Sequence, residues 1–144
     1  MSNIESMIAT WVNAWNTLDC DAMCSILGDQ FLYEDVPSNT QSRTREELRN
    51  FFGKTDRFFV DVTLTLKSSC VVADMASFEW DIAGGFRIDS LTGTESGDIK
   101  RFLVPGVTVW QLSGGSVIRN SDYYCGRDMY QQIGLLPEVR VSDE

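Results

Sequence analysis

The chain has 144 residues, 43% of them apolar and 11% aromatic, which is enough for one domain, residues 1–144, with a substantial core. Twelve basic against 21 acidic residues leave a formal net charge of -9, which argues against nucleic acid and anionic membrane surfaces as partners because both repel an acidic chain. There is no histidine, so Ser-His and Cys-His nucleophiles, imidazole metal sites and histidine bases are all excluded, and acid–base chemistry must rest on Asp, Glu, Tyr, Lys, Cys or water.

Ile4, Met7, Ile8, Trp11, Val12 and Trp15 recur at helical spacing, and Ser2 with Glu5 forms a capping box, so a first amphipathic helix is expected. A second, from about Asp19, uses Ala22, Met23, Ile26 and Leu27 and ends at Gly28. Residues 30 to 37 read as a short strand with polar groups on both faces, stopped by Pro37, and 38 to 43 as a loop. Thr44 and Glu47 then cap a third helix whose apolar side is Leu48, Phe51, Phe52 and Phe59.

From Val60 the period changes to two, with Val60, Val62, Leu64 and Leu66 on one face of a strand. An extended region from Cys70 to Ile82, broken or bulged near Asp74, leads to Gly84-Gly85. The polar insert between Phe86 and Ile99 reads as an exposed loop, and Lys100 to Leu112 as a strand bent by a bulge at Pro105-Gly106. Ser113-Gly114-Gly115-Ser116 then turns the chain into a last strand that places Ile118, Asn120, Asp122 and Tyr124 on one face. Arg127 to Ile133 reads as a short helix ended by Gly134, followed by Pro137 and a loose tail. The order of helices and then long antiparallel strands indicates an α+β domain in which a curved sheet wraps around helices.

Asp122 stands out, because a carboxylate on the inner face of a strand is costly unless it is hydrogen-bonded or faces a wet cavity. Asn120 shares its face. Tyr33 and Asp35 share one face of the 30–37 strand, and Glu79 and Asp81 share one face of the extended region from Cys70 to Ile82, with Trp80 and Ile82 on the other. Either the two acids or the apolar pair must line the interior, and burial statistics favour Trp80 inside. Trp110, Phe78 and Tyr124 fit either a core or a pocket wall. Cys20, Cys24, Cys70 and Cys125 have no metal spacing and no dense disulfide frame, and read as buried thiols. No apolar run is long enough to span a bilayer, so a cytoplasmic protein is expected.

The order of elements, with Trp11 through Asp19, Tyr33-Glu34-Asp35-Val36-Pro37, Thr44-Arg45-Glu46-Glu47-Leu48, Glu79-Trp80-Asp81 and Arg119-Asn120-Ser121-Asp122-Tyr123-Tyr124, resembles the NTF2-like superfamily. Within it the chain is similar to the SnoaL-like polyketide cyclases and the limonene-epoxide-hydrolase-like enzymes. The resemblance implies a cone of curved antiparallel or mixed sheet around three to four helices, enclosing an apolar pocket, often in a homodimer. It also implies that Asp122 is catalytic, with Tyr33 and Asp35 at the positions that hold water in the hydrolases. Those hydrolases place Arg and Asp two residues apart on the middle strand, where this chain has Glu79 and Asp81. The leading expectation is a cyclase or isomerase of a hydrophobic polyketide or terpenoid intermediate, needing no metal or organic cofactor. Asp122, Tyr33 and Asp35 would be catalytic, and Asn120, Glu79, Asp81, Trp80, Trp110 and Tyr124 would bind substrate. Epoxide hydrolysis is the alternative, and a ligand-binding or dimerising module without chemistry is a third.

Overall fold

A computed structural model describes residues 3–88 and 97–136. Helix α1 (Asn3–Thr17) and helix α2 (Cys20–Cys24) come first, then strands β1 (Leu27–Asp35) and β2 (Thr40–Ser42) and helix α3 (Arg45–Phe58). Four long strands follow, β3 (Phe59–Val72), β4 (Met75–Arg87), β5 (Ile99–Ser113) and β6 (Ser116–Tyr124), and helix α4 (Gly126–Gln132) closes the described chain. The six strands form one sheet in the order β2-β1-β6-β5-β4-β3. All neighbours are antiparallel except β1 and β6, which run parallel. The α+β cone with a curved mixed sheet and four helices is thus the fold expected from the sequence.

Helix α1 lies on the concave face and buries Met7, Ile8, Trp11, Ala14 and Trp15, the stripe predicted by its periodicity. Its Asn16 side chain acts as a surrogate strand partner for Leu64, accepting from the Leu64 N–H at 2.7 Å and donating to its carbonyl at 3.0 Å. That double bond fixes the helix against β3. Asp19 caps α2 by accepting from the Ala22 N–H at 3.0 Å. Thr44 and Glu47 cap α3 as expected: the Thr44 hydroxyl accepts from the Glu47 N–H, and the Glu47 carboxylate accepts from the Arg43 N–H. The Ser2 half of the first capping box lies outside the described residues, as do the middle of the 86–99 insert and the tail beyond Leu136.

Four local expectations are corrected. The second helix stops at Cys24 rather than Gly28, because Leu27 begins β1 and pairs with Val117 of β6. Tertiary pairing overrides the apolar spacing there. Residues 40 to 42, expected as loop, form β2 on the edge of β1. Cys70 and Cys125, expected as buried thiols, are exposed, whereas the break expected near Asp74 is present as a hairpin turn, with Val72 paired to Met75 and Ala73 in the left-handed region at φ 54°. The Pro105-Gly106 step makes no bulge: β4 and β5 pair in one continuous register from Met75↔Gln111 to Arg87↔Ile99. Gly106 serves another purpose, since a Cβ there would lie 2.3 Å from the Trp80 ring that crosses it. The Gly114-Gly115 turn is as predicted, both residues having positive φ between paired Ser113 and Ser116.

Two apolar clusters result. The larger lies between α1, α3 and the sheet, with Trp11 edge-on to Phe78 at 5.0 Å and Trp15 stacked on Phe52 at 4.2 Å. The smaller gathers Phe86, Phe102, Val104, Met129 and Ile133 beneath α4. Ile82 and Tyr124 touch both clusters, and the space left between them is the cavity.

Candidate active site

The parallel pairing of β1 with β6 decides the site. Its register sets Asp35 beside Asp122 and Tyr33 beside Asn120, so two carboxyl side chains from distant parts of the chain share one inner face. The antiparallel partner β5 brings Thr108 opposite Asp122 and Gly106 opposite Tyr124. Both acids open into a cavity of about 360 Å³ whose wall is otherwise dominated by aromatic and aliphatic groups, among them Trp11, Trp15, Phe51, Phe102 and Met129. Exposed Ser38 and Lys54 mark its mouth.

Asp122 is 5% exposed and sits on a buried polar network. Its Oδ1 accepts from the Thr108 hydroxyl at 2.8 Å and from the Asn120 amide at 2.9 Å. The Trp80 indole donates to Thr108 Oγ1 at 2.9 Å, and the Trp110 indole to Asn120 Oδ1 at 2.8 Å. Burial and then the neighbouring Asp35 push the Asp122 carboxyl up from 3.8 to about 7, against the lowering effect of Thr108, Asn120 and Tyr33. A carboxyl group with that affinity exchanges protons readily near neutral pH.

Asp35 is also held above the ordinary carboxylate range by burial, moderated by its donors. The Tyr124 hydroxyl donates to both its oxygens at 2.9 and 3.1 Å, and the Ser38 hydroxyl to Oδ1 at 3.0 Å. Burial and then Asp35 in turn keep the Tyr124 phenol protonated far above its usual range. The Tyr33 phenol, wholly buried, is likewise held protonated by burial and then Asp122, and it accepts from the Trp15 indole at 2.8 Å. Asp35 and Asp122 are therefore two acids in one apolar space, each with its own set of donors.

Of the residues singled out in the sequence, Asp122, Asp35, Tyr124 and Trp80 line the cavity together. Tyr33, Asn120 and Trp110 lie beneath that wall: Tyr33 is 1% exposed and the other two are 0% exposed, and their polar groups are engaged with neighbours. Glu79 and Asp81 require a correction. Strand alternation turns them outward while Trp80 and Ile82 face in, so Glu79 accepts from Ser68 at 2.9 Å and Asp81 pairs with Lys67 at 3.6 Å on the convex side. Arginine does not replace them. Arg87 donates to the carbonyls of Asp56, Arg57 and Phe59, and Arg101 pairs with Asp61 at 3.5 Å, so neither enters the cavity.

Thr108 was not anticipated, although a signal existed: it is the polar member of the inward series Phe102, Val104, Gly106, Thr108, Trp110 and Leu112. Trp11 and Trp15 read only as a helix stripe, because a periodicity does not say which part of the core is hollow. Among the described residues no group of three His, Cys, Asp or Glu side chains converges as a metal site. No helix there is long and apolar enough to cross a membrane.

A family model described as SnoaL-like domain matches residues 8–120. No curated protein matches the chain. Among solved structures, the chain is similar to a hypothetical protein with a ketosteroid isomerase-like fold from Catenulispora acidiphila DSM 44928, solved with trimethylamine, at 21% identity and a TM-score of 0.76, covering 90% of this chain and 93% of that one. A protein from Shewanella putrefaciens CN-32, provisionally named a SnoaL-like polyketide cyclase, gives a TM-score of 0.78 at 12% identity over 94% of this chain and 99% of that one. IdmH from Streptomyces antibioticus, provisionally a polyketide cyclase, gives 0.73 at 17% identity over 90% and 97%. At these identities the likeness is one of fold.

Proposed function

The chain belongs to the SnoaL-like domain family, and from that premise we propose that it is a cyclase or isomerase of an apolar small molecule, of polyketide or terpenoid character, working by carboxylate acid–base catalysis. The observation that carries this reading is the buried Asp122, poised near pH 7 at the wall of an apolar cavity with Asp35 beside it. The ionised Asp122 removes a proton from a carbon next to a carbonyl, and the C–H electron pair moves to give an enolate. In an isomerisation the Asp122 carboxyl returns that proton to a different carbon. In a ring closure the enolate carbon bonds to a second carbonyl carbon, and the alkoxide so formed takes the proton from Asp122. Both sequences end with Asp122 ionised again and need no other reactant.

Asp35 supports the cycle through the field that raises the proton affinity of Asp122, while Tyr124 and Ser38 hold it in place. The apolar wall excludes water from the enolate. Replacing Asp122 with Asn is expected to lower turnover by roughly 10² to 10⁴-fold, the usual contribution of a general acid or base, with an unchanged circular dichroism spectrum. A fully active variant would sink the assignment. Turnover in oxygen-18 water separates this reading from epoxide opening by the Asp35 and Asp122 pair: stable label in a new product hydroxyl supports hydrolysis, and its absence supports rearrangement.

A further inference from the structure

Phe51, Lys54, Thr55 and Phe58 recur on α3 at the three-and-four spacing of one helix face, and all of them line the cavity. A lysine therefore stands in a stripe that otherwise supplies aromatic wall. Lys54 is exposed, the arrangement in which a lysine covers apolar surface with its methylene stem and keeps its ammonium in water. Most other polar groups of the wall are occupied within the protein. Tyr124 and Ser38 donate to Asp35, Thr40 shares a hydrogen bond with Ser38, Thr55 donates to the Phe51 carbonyl, and Thr108 and Asn120 hold Asp122. The indoles of Trp11 and Trp15 bear on the Tyr33 phenol, and that of Trp80 donates to Thr108. Two wall groups have no hydrogen-bond or ion-pair partner among the described residues, the Tyr130 hydroxyl and the Lys54 ammonium. A phenol donates to any oxygen, whereas an ammonium discriminates by charge.

The charges of the cavity are segregated. Asp35 and Asp122, side by side on β1 and β6, are its acids, and Lys54 is its one cation among the described residues. Burial, Asp35 and neutral donors set the proton affinity of Asp122, and burial and neutral donors that of Asp35. Lys54 is not among these groups, so it stands apart from both acids. A ligand carboxylate placed beside the acids would meet like charge and lose its water, whereas at the mouth it stays hydrated and faces an opposite charge. In a chain of net charge -9, a local cation is also what lets an anion approach.

We propose that Lys54 determines specificity: it pairs with a carboxylate at one end of an otherwise apolar substrate and holds that end at the mouth, so that the uncharged end enters towards Asp122. The identity of the reacting end rests on the reading of Asp122 as the proton-handling group, while the pairing itself depends only on the cavity and Lys54. The ion pair then fixes which way round the substrate lies as well as which substrates are accepted.

The test uses two nearly isosteric probes, 1-naphthylacetate and its neutral amide, titrated calorimetrically into the full chain at pH 8.5, where Asp122 is ionised and cannot donate to either. At low salt wild type is expected to bind the carboxylate about fivefold more tightly than the amide, the upper end of what an exposed ion pair contributes. Concentrated sodium chloride should remove that preference by screening. Lys54→Gln, which keeps a helix-favouring side chain, should bind both probes alike with the affinity for the amide unchanged, and Lys54→Glu should prefer the amide. Wild type that binds the carboxylate no more tightly than the amide, or binds neither, overturns the proposal, as does a Lys54→Gln protein that keeps the preference. Tighter binding of 1-naphthylmethylamine than of the carboxylate also overturns it, assigning recognition of ligand charge to Asp35 and Asp122 instead. Should the variants fail to fold, a wild-type preference that salt leaves unchanged overturns it alone. Equal binding of the acid and amide together with an inactive Asp122→Asn variant removes the role of Lys54 and leaves the acid–base reading standing. A Lys54-dependent preference with a fully active Asp122→Asn variant does the reverse.

Discussion

Asp122 and Asp35 are one residue pair with two different jobs, and the difference comes from their donors. Burial raises the proton affinity of both; at Asp122 the neighbouring Asp35 raises it further against the donors Thr108 and Asn120, while at Asp35 the Tyr124 phenol and the Ser38 hydroxyl offset part of the rise. The pair thus separates into a group that exchanges a proton near neutral pH and one that sets the field around it. If ionised Asp122 is the base, kcat/KM should rise with pH through about 7 and level off above. Replacing Asp35 with Asn removes the like charge, so the inflection should move to lower pH, while Tyr124 keeps a partner in the amide oxygen. A pH profile of Asp35→Asn that superimposes on wild type would show that Asp35 does not govern Asp122.

At the level of elements, β4 and β5 hold the acid of β6 in place through a tryptophan and a glycine. Trp80 of β4 reaches across Gly106 of β5 to donate to Thr108, and only the missing Cβ makes room for the ring. Gly106→Ala would set a methyl group 2.3 Å from Trp80 Cη2. The variant is expected to lose about 1 to 3 kcal/mol from overpacking, read by chemical denaturation. Because the ring must leave Thr108 to relieve the contact, the buried tryptophan emission should change with it and activity should fall by more than the stability loss alone explains. A variant as stable and as active as wild type would mean that the sheet yields there without moving Trp80. The same strands explain the outward turn of Glu79 and Asp81, since Trp80 cannot fill the concave face without sending its neighbours to the convex one.

For the whole molecule, the buried acid makes stability depend on pH in a direction opposite to that of a salt-bridged carboxylate. Between pH 3.8 and about 7 the native Asp122 holds a proton that the unfolded chain has released, so its contribution to stability falls as pH rises through that window and is constant above it. The full difference is on the order of 4 kcal/mol. Asp122→Asn abolishes it, so the variant should gain on wild type by an amount of that order between pH 4.5 and pH 8 in guanidinium unfolding. A gap that does not change with pH would mean that Asp122 is solvated in the native state. The cavity and its buried acid therefore lower the stability of the fold at the pH where the chemistry needs the carboxylate.

Much of this protein was legible in its residues. The α1 stripe, the Thr44 cap, the Gly114-Gly115 turn and the inward acid of β6 all follow from local spacing and backbone preference, which are properties of a few consecutive residues. The absence of histidine and the place of Asp122 on its strand narrowed the chemistry before any fold was known. The rest depended on which strand lies beside which. The parallel pairing of β1 with β6 joins Asp35 to Asp122 across 86 intervening residues. The alternation of β4 chose Trp80 over Glu79 and Asp81, and the hollow between two clusters turned Trp11 from a core residue into part of a cavity wall. Local sequence sets what each residue can do chemically, whereas distance, burial and unpaired polar groups exist only once distant segments are packed together. The proton affinity of Asp122 is decided by exactly those packed neighbours.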